Sequence, residues 1–133
     1  HSFDHADGHF HLMGCMLSAA SCNKWLCEDI LKTNDYAAEQ AAITDGKLGR
    51  NFVYFLPYLM GERSPINDTN ARAMFVGMTM DTARADMTQA MLEGVAFAIR
   101  DSFEVATKSS YVGKSIAFNP HFSASSNTLL IGL

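Results

Sequence analysis

Leu56-Pro57-Tyr58-Leu59-Met60-Gly61-Glu62-Arg63-Ser64-Pro65-Ile66-Asn67-Asp68-Thr69-Asn70-Ala71-Arg72-Ala73-Met74-Phe75-Val76-Gly77-Met78 is the stretch on which the architecture turns. Its flanks are apolar. Phe52 to Met60 is a nearly continuous run of strand formers, and Ala73 to Met78 is a second such run. Proline cannot donate to a β-ladder, so the first run reads as a buried strand extending up to Pro57. Gly61 to Arg72 between them is polar and rich in turn formers and charge, as a functional loop on a rigid scaffold would be. Glu62 and Arg63 are adjacent, so on an extended segment they point opposite ways, and Arg63 or Arg72 can reach toward a phosphate or a carboxylate. A surface loop with local ion pairs is the plainer reading of the same residues.

Downstream, Thr82 is placed to cap a helix and Asp86 to sit near its positive end. Met87, Ala90, Met91, Gly94, Val95, Ala98, Ile99 and Phe103 recur at helical spacing, which predicts a long helix to about Thr107. Upstream, Cys22, Trp25, Leu26 and Ile30 predict a helix of about three turns from Ser18, with Trp25 as a core anchor rather than a ligand platform. Tyr36 to Ile43 reads as a short second helix, ended by a loop at Asp45-Gly46 and Gly49. His9 to Leu12 alternates like a half-buried strand entered through an Asp7-Gly8 hairpin turn. The eight methionines are expected to fill the core.

His1, His5, His9 and His11 invite a metal reading, but their period-two spacing puts them on a solvated face, and no metal ligand set is assigned. Cys15, Cys22 and Cys27 are odd in number and lack CxxC spacing, which suits buried small hydrophobes in a reducing compartment. The 133 residues allow one modest core, and the formal net charge of −4 leaves no basic excess for a nucleic acid partner. No window reaches the roughly 18 apolar residues of a membrane span, and no signal sequence opens the chain, so no membrane partner and a cytoplasmic location are expected. The chain lacks nucleophile-elbow, Walker A, H-E-x-x-H and G-x-G-x-x-G motifs. His1 in place of Met, and an apolar run from Thr128 to Leu133 at the other end, read as the ends of a fragment.

Leu56 to Pro65 followed by Asn67 to Arg72 resembles the PYLxGERxPxxDxxAR stretch of the xylulose kinases among the FGGY carbohydrate kinases. Ala73 to Met78, Asp86-Met87 and Ala90 to Glu93 match the C-terminal signature of that family at every constrained position. Met16 to Cys22 with Trp25 is similar to the same enzymes, so the resemblance covers residues 1–107, and 108–133 reads as a tail departing from it. It implies an α/β fold, part of a ribonuclease-H-like (actin-like ATPase) domain with a mixed sheet and packed helices.

The activity implied is transfer of the ATP γ-phosphate, with Mg²⁺, to a ketopentose such as D-xylulose. The family's catalytic base would lie upstream of His1, so no catalytic residue is assigned within the chain, and the fragment alone is expected to be silent. The turn after the Gly77-Met78 strand borders the nucleotide in the family, which maps onto Thr79, Asp81 and Thr82. Glu62 and Arg63 match a motif near the cleft, whereas Glu93 falls mid-helix, where packing or hydrogen bonding is its expected role. The alternative is a silent structural or interaction module, self-associating through exposed apolar surface.

Overall fold

The computed structural model of the chain describes residues 2–4, 6–108, 115–118 and 128–132. Strands β1 (Ser2–Asp4) and β2 (Phe10–Cys15) form the expected hairpin. Its turn has Gly8 at φ 85° and is closed by the His9 N–H, which donates to Asp7 Oδ1 at 3.0 Å. Strands β5 (Ser115–Phe118) and β6 (Thr128–Gly132) complete a sheet of order β1-β2-β6-β5. Sequence reading assigned neither of these two. Every ladder described in this sheet is antiparallel, where the family resemblance implied a mixed one.

Helix α1 (Ala19–Lys24) continues into a π-helical turn, Trp25–Ile30, in which the Leu31 N–H donates to the Leu26 carbonyl. Each π-helical turn holds more residues than an α-turn, so the side-chain phase slips. Cys22 and Leu26 stay fully buried as predicted, but Ile30 is carried outward and Leu31 packs against the core in its place. Trp25 fulfils its anchoring role, half-buried and stacked on Phe55 at 6.3 Å between ring centroids. Helix α2 (Tyr36–Ala41) is capped by Asp35, whose Oδ1 accepts from the Ala38 N–H at 2.9 Å. It buries none of its residues and is held by the Arg84 guanidinium, which binds both carboxylate oxygens of Glu39.

Strands β3 (Tyr54–Leu56) and β4 (Met74–Val76) form a separate antiparallel hairpin. The first apolar run is thus a three-residue strand ending before Pro57, and it is not buried on both sides. Phe55 and Val53 are buried while Tyr54 and Leu56 are exposed, because a two-stranded hairpin lying on helices has cover for one face only. Helix α3 (Arg84–Lys108) crosses this hairpin and reaches both cores. Ala90, Met91, Gly94 and Ala98 are buried along the predicted face, joined by Thr88, Gln89 and Ser102. The methionines divide. Met16 and Met91 are buried, but Met60, Met74, Met78 and Met80 are exposed, three of them on or just beyond β4, so the core-filling role holds for only part of the set.

Candidate functional site

The loop between β3 and β4 is fastened at several points. Gly61 has φ 78°, and a Cβ there would lie 2.7 Å from the Thr69 carbonyl oxygen, so only glycine fits. Glu62 and Asp68 exchange two backbone hydrogen bonds of 2.8 Å. The Ser64 N–H donates to the Cys15 carbonyl, and the Ser102 hydroxyl donates to the Ser64 carbonyl at 3.0 Å, tying the loop to β2 and to α3. The loop is therefore a fixed element of the fold.

Glu62 and Arg63 point opposite ways, as their adjacency dictates. The Glu62 side chain turns inward and is 2 % exposed. Its Oε1 accepts from the Arg63 N–H at 2.6 Å, while Oε2 is buried with no well-aligned partner. Burial pushes this carboxyl above the usual carboxylate range, opposed by the backbone N–H groups of Arg63, Leu17 and Ser64. Burial, aided by the charge of Glu62, pushes the Cys22 thiol up to about 12, so Cys22 is a packing thiol, its S–H donating to the Pro57 carbonyl. Cys27 is buried too, and Cys15 is half-buried. Arg63 is exposed and lines a groove of about 430 Å³ with Leu12, Gly14, Pro65, Ser102 and Val105.

Thr79, Asp81 and Thr82 lie in the turn between β4 and α3. Gly77 starts it at φ 88°, where a Cβ would meet the Phe52 carbonyl oxygen at 2.3 Å. The Thr79 N–H donates to Thr82 Oγ1 at 2.8 Å, and the Asp81 N–H donates to Thr79 Oγ1 at 3.2 Å. Thr82 consequently does not cap the helix, because its hydroxyl is engaged in closing the turn. The end of α3 is instead served by Asp86, whose Oδ2 accepts from the Ala83 N–H at 2.8 Å, one half of a capping box. Asp86 thus stands where expected.

These three residues line one cleft of about 480 Å³, whose other wall carries Lys47, Arg50 and Asn51. Sequence reasoning treated 45–49 only as a loop; the two cations three positions apart were the signal available. This wall is tethered to α3. Glu93 Oε1 accepts from the Gly49 N–H at 2.9 Å and from Gln89 Nε2 at 2.7 Å, and Gln89 Nε2 also donates to the Lys47 carbonyl. Asn51 Nδ2 donates to the Asp86 carbonyl at 2.7 Å. Glu93 therefore has the hydrogen-bonding role expected of it.

The candidate residues do not meet in a single site. The turn cleft lies at Asp86 and Gln89 of α3, and the Arg63 groove lies at Ser102 and Val105, about 24 Å further along the helix at 1.5 Å per residue. Among the described residues no group of three His, Cys, Asp or Glu side chains could hold a metal ion. His1 and His5 lie outside the described residues, as does the side chain of His11, so the histidine reading is carried only by exposed His9. No helix among the described residues is long and apolar enough to cross a membrane.

Residues 2–120 match the C-terminal domain of the FGGY family of carbohydrate kinases. The chain belongs to this family. It is 42 % identical over 106 residues to a xylulose kinase from Klebsiella pneumoniae, covering 79 % of this chain and 22 % of the relative. It is 40 % identical, with the same coverage, to a xylulose kinase from Escherichia coli. The solved structure of a xyloylose kinase from Brucella ovis superposes with a TM-score of 0.75 at 39 % identity, covering 83 % of this chain and 22 % of that one. The chain spans about a fifth of the length of the FGGY relatives it matches. The α/β fold expected from the resemblance, part of a ribonuclease-H-like (actin-like ATPase) domain, holds for this FGGY chain.

Proposed function

We propose that this chain serves as part of an ATP-dependent sugar kinase acting on a ketopentose such as D-xylulose. The observation that carries the reading is the match of residues 2–120 to the FGGY C-terminal domain, with xylulose kinases at 40 and 42 % identity. Phosphoryl transfer rests on positioning and charge stabilisation, and in this reading the chain supplies one wall of the nucleotide site. Thr79, Asp81 and Thr82 border the nucleotide, and their shared cleft with Lys47 and Arg50 supports that role. Arg63 reaches toward an anionic group, and Glu62 holds the loop that presents it. Mg²⁺ has no ligand set among the described residues, so no step is assigned to it.

The test is a chimera in which this chain replaces the matching segment of the Escherichia coli xylulose kinase, assayed by coupled ADP release. Retained D-xylulose phosphorylation supports the reading. A folded chimera that phosphorylates another sugar but not D-xylulose overturns the choice of sugar. The 133-residue chain alone is expected to show no turnover, and saturable turnover by it would contradict the view that it needs the rest of a kinase. Loss of ATP affinity in an Asp81→Ala, Thr82→Val chimera, with folding intact, is expected if the turn borders the nucleotide; unchanged affinity removes those residues from the site.

A further inference from the structure

Lys24, Arg84 and Arg100 are paired with carboxylates, and the Arg72 guanidinium is bonded to the Thr69 and Ala71 carbonyls. Lys47 and Arg50 differ from these. Both are exposed, and among the described residues neither side chain has an ion pair or a hydrogen bond, although Asp81 and Asp86 line the same cleft of about 480 Å³. Asp86 is already engaged, since its carboxylate accepts from the Ala83 N–H at the head of α3. Two cations therefore face one uncommitted carboxylate, that of exposed Asp81, and the local excess is positive in a chain whose net charge is −4. The backbone carrying the pair is fixed. The Arg50 N–H donates to the Lys47 carbonyl at 3.0 Å, which also accepts from the buried Gln89 amide at 2.7 Å, and the Gly49 N–H between them is held by Glu93. Every lining residue falls within 46–89, so both walls belong to one stretch of this chain.

We propose that Lys47 and Arg50 form a phosphate-binding pair and that their cleft takes a small phosphate ester. Lysine supplies a compact point charge and arginine a planar fork of donors, and a phosphate has enough acceptor oxygens for both. The opposite wall adds donors. Thr79 Oγ1 and Thr82 Oγ1 each accept from a main-chain N–H of their own turn, which leaves each hydroxyl proton to donate. Asn51 does not compete, because its amide is bonded to the Asp86 carbonyl and the Val53 N–H. The positive end of α3 is occupied by Asp86 and is not the binding element. The cleft volume falls within the range of about 300–1,000 Å³ for small-molecule sites, so the body of an ester has room beside its phosphate. Phe52, 85 % exposed, lines the cleft and offers that body an apolar ring. The phosphate chain of a nucleotide is one source of such a group and a free phosphate ester is another, so the inference goes beyond the nucleotide reading and can fail or hold separately from it.

Amide chemical shifts of the isotope-labelled chain, followed by NMR as inorganic pyrophosphate, ATP or adenosine is added, test it. Pyrophosphate and ATP are expected to shift amides at 47–51 and 77–82, and adenosine, which lacks phosphate, is not. Lys47→Ala and Arg50→Ala should each weaken pyrophosphate binding about tenfold. Arg100→Ala, an equal change of net charge at the exposed side of α3, should leave it unaltered. Neither substituted side chain has a partner in the fold, so the Gly49 amide should keep its protection from exchange in both variants. Absence of pyrophosphate-dependent shifts at millimolar concentration, equal shifts with adenosine, or binding that survives in the Lys47→Ala, Arg50→Ala double variant overturns the proposal. ATP binding that does not need the pair also overturns it while leaving the nucleotide reading intact. Equal affinity for pyrophosphate and ATP, both lost in the double variant, supports the pair and assigns the cleft to a free phosphate ester, against the nucleotide reading. The same loss is expected in the Escherichia coli chimera, where the rest of a kinase is present, and pyrophosphate binding there that ignores the two substitutions overturns the proposal.

Discussion

Gly94 of α3 lies directly against the backbone of Phe55, so close that a Cβ on Gly94 would stand 2.2 Å from the Phe55 carbonyl oxygen. The helix and the hairpin meet there through main chain, and the neighbour that would have to yield is itself part of a strand. In an exposed helix interior, Gly to Ala is worth about 1 kcal/mol in favour of Ala. Here overpacking, typically about 1–3 kcal/mol, outweighs that gain. Gly94→Ala is expected to destabilise the chain by up to about 2 kcal/mol on balance. Urea unfolding of both proteins checks it, and an alanine variant of equal or greater stability would show that the hairpin can move off the helix.

Phe55 is the centre of the aromatic stack, touching both Trp25 and Phe75. Phe55→Ala is expected to cost about 3–5 kcal/mol, the range for emptying a buried aromatic position. The loss should appear in the same denaturation experiment, accompanied by a red shift of Trp25 emission as water reaches the ring.

Glu93 holds the loop bearing Lys47 through the Gly49 N–H and Gln89. Glu93→Ala removes the charged acceptor of both bonds, and an effect of about 1–3 kcal/mol is expected, concentrated locally. Hydrogen exchange reads it directly, since the Gly49 amide should exchange faster in the variant while amides in the centre of α3 keep their protection. Unchanged protection at Gly49 would mean that something else holds the loop.

Burial raises the Glu62 carboxyl above its ordinary value of 4.5. The folded chain then keeps this proton at pH values where the unfolded chain has released it. Stability from this group therefore falls as pH rises from about 4.5 through the folded value, and is level above it. Glu62→Gln retains an oxygen to accept from Arg63 but cannot ionise, so it should lose that part of the slope and gain on the wild type toward neutral pH. Thermal unfolding at a series of pH values compares the two, and parallel profiles would show that Glu62 is not the group responsible.

Helix α3 was legible because its buried side is written in spacing: Ala90, Met91, Gly94 and Ala98 recur with the turn of the helix. Cys22 and Leu26 were legible for the same reason. Ile30 was not, because one π-helical turn shifts the phase without leaving any mark in composition. The outward methionines escaped notice because a residue type says nothing about which side of a strand has a neighbour. Thr82 was correctly placed at the helix entrance, but its hydroxyl accepts from the Thr79 N–H behind it, and only geometry decides between closing the turn and capping the helix. The cleft itself joins residues some 30 positions apart in the chain, so the wall carrying Lys47 and Arg50 had no local signature.

The tether from Glu93 and Gln89 to the loop at 47–49 has a further consequence. Helix α3 carries the Thr79–Thr82 turn at its entrance and, two turns later, grips the opposite wall by its backbone. Both jaws are thus mounted on one beam, and their separation is set when the chain folds. A ligand entering between them need not immobilise either jaw, so the entropic cost of shaping the site is met in folding and little of it falls on binding.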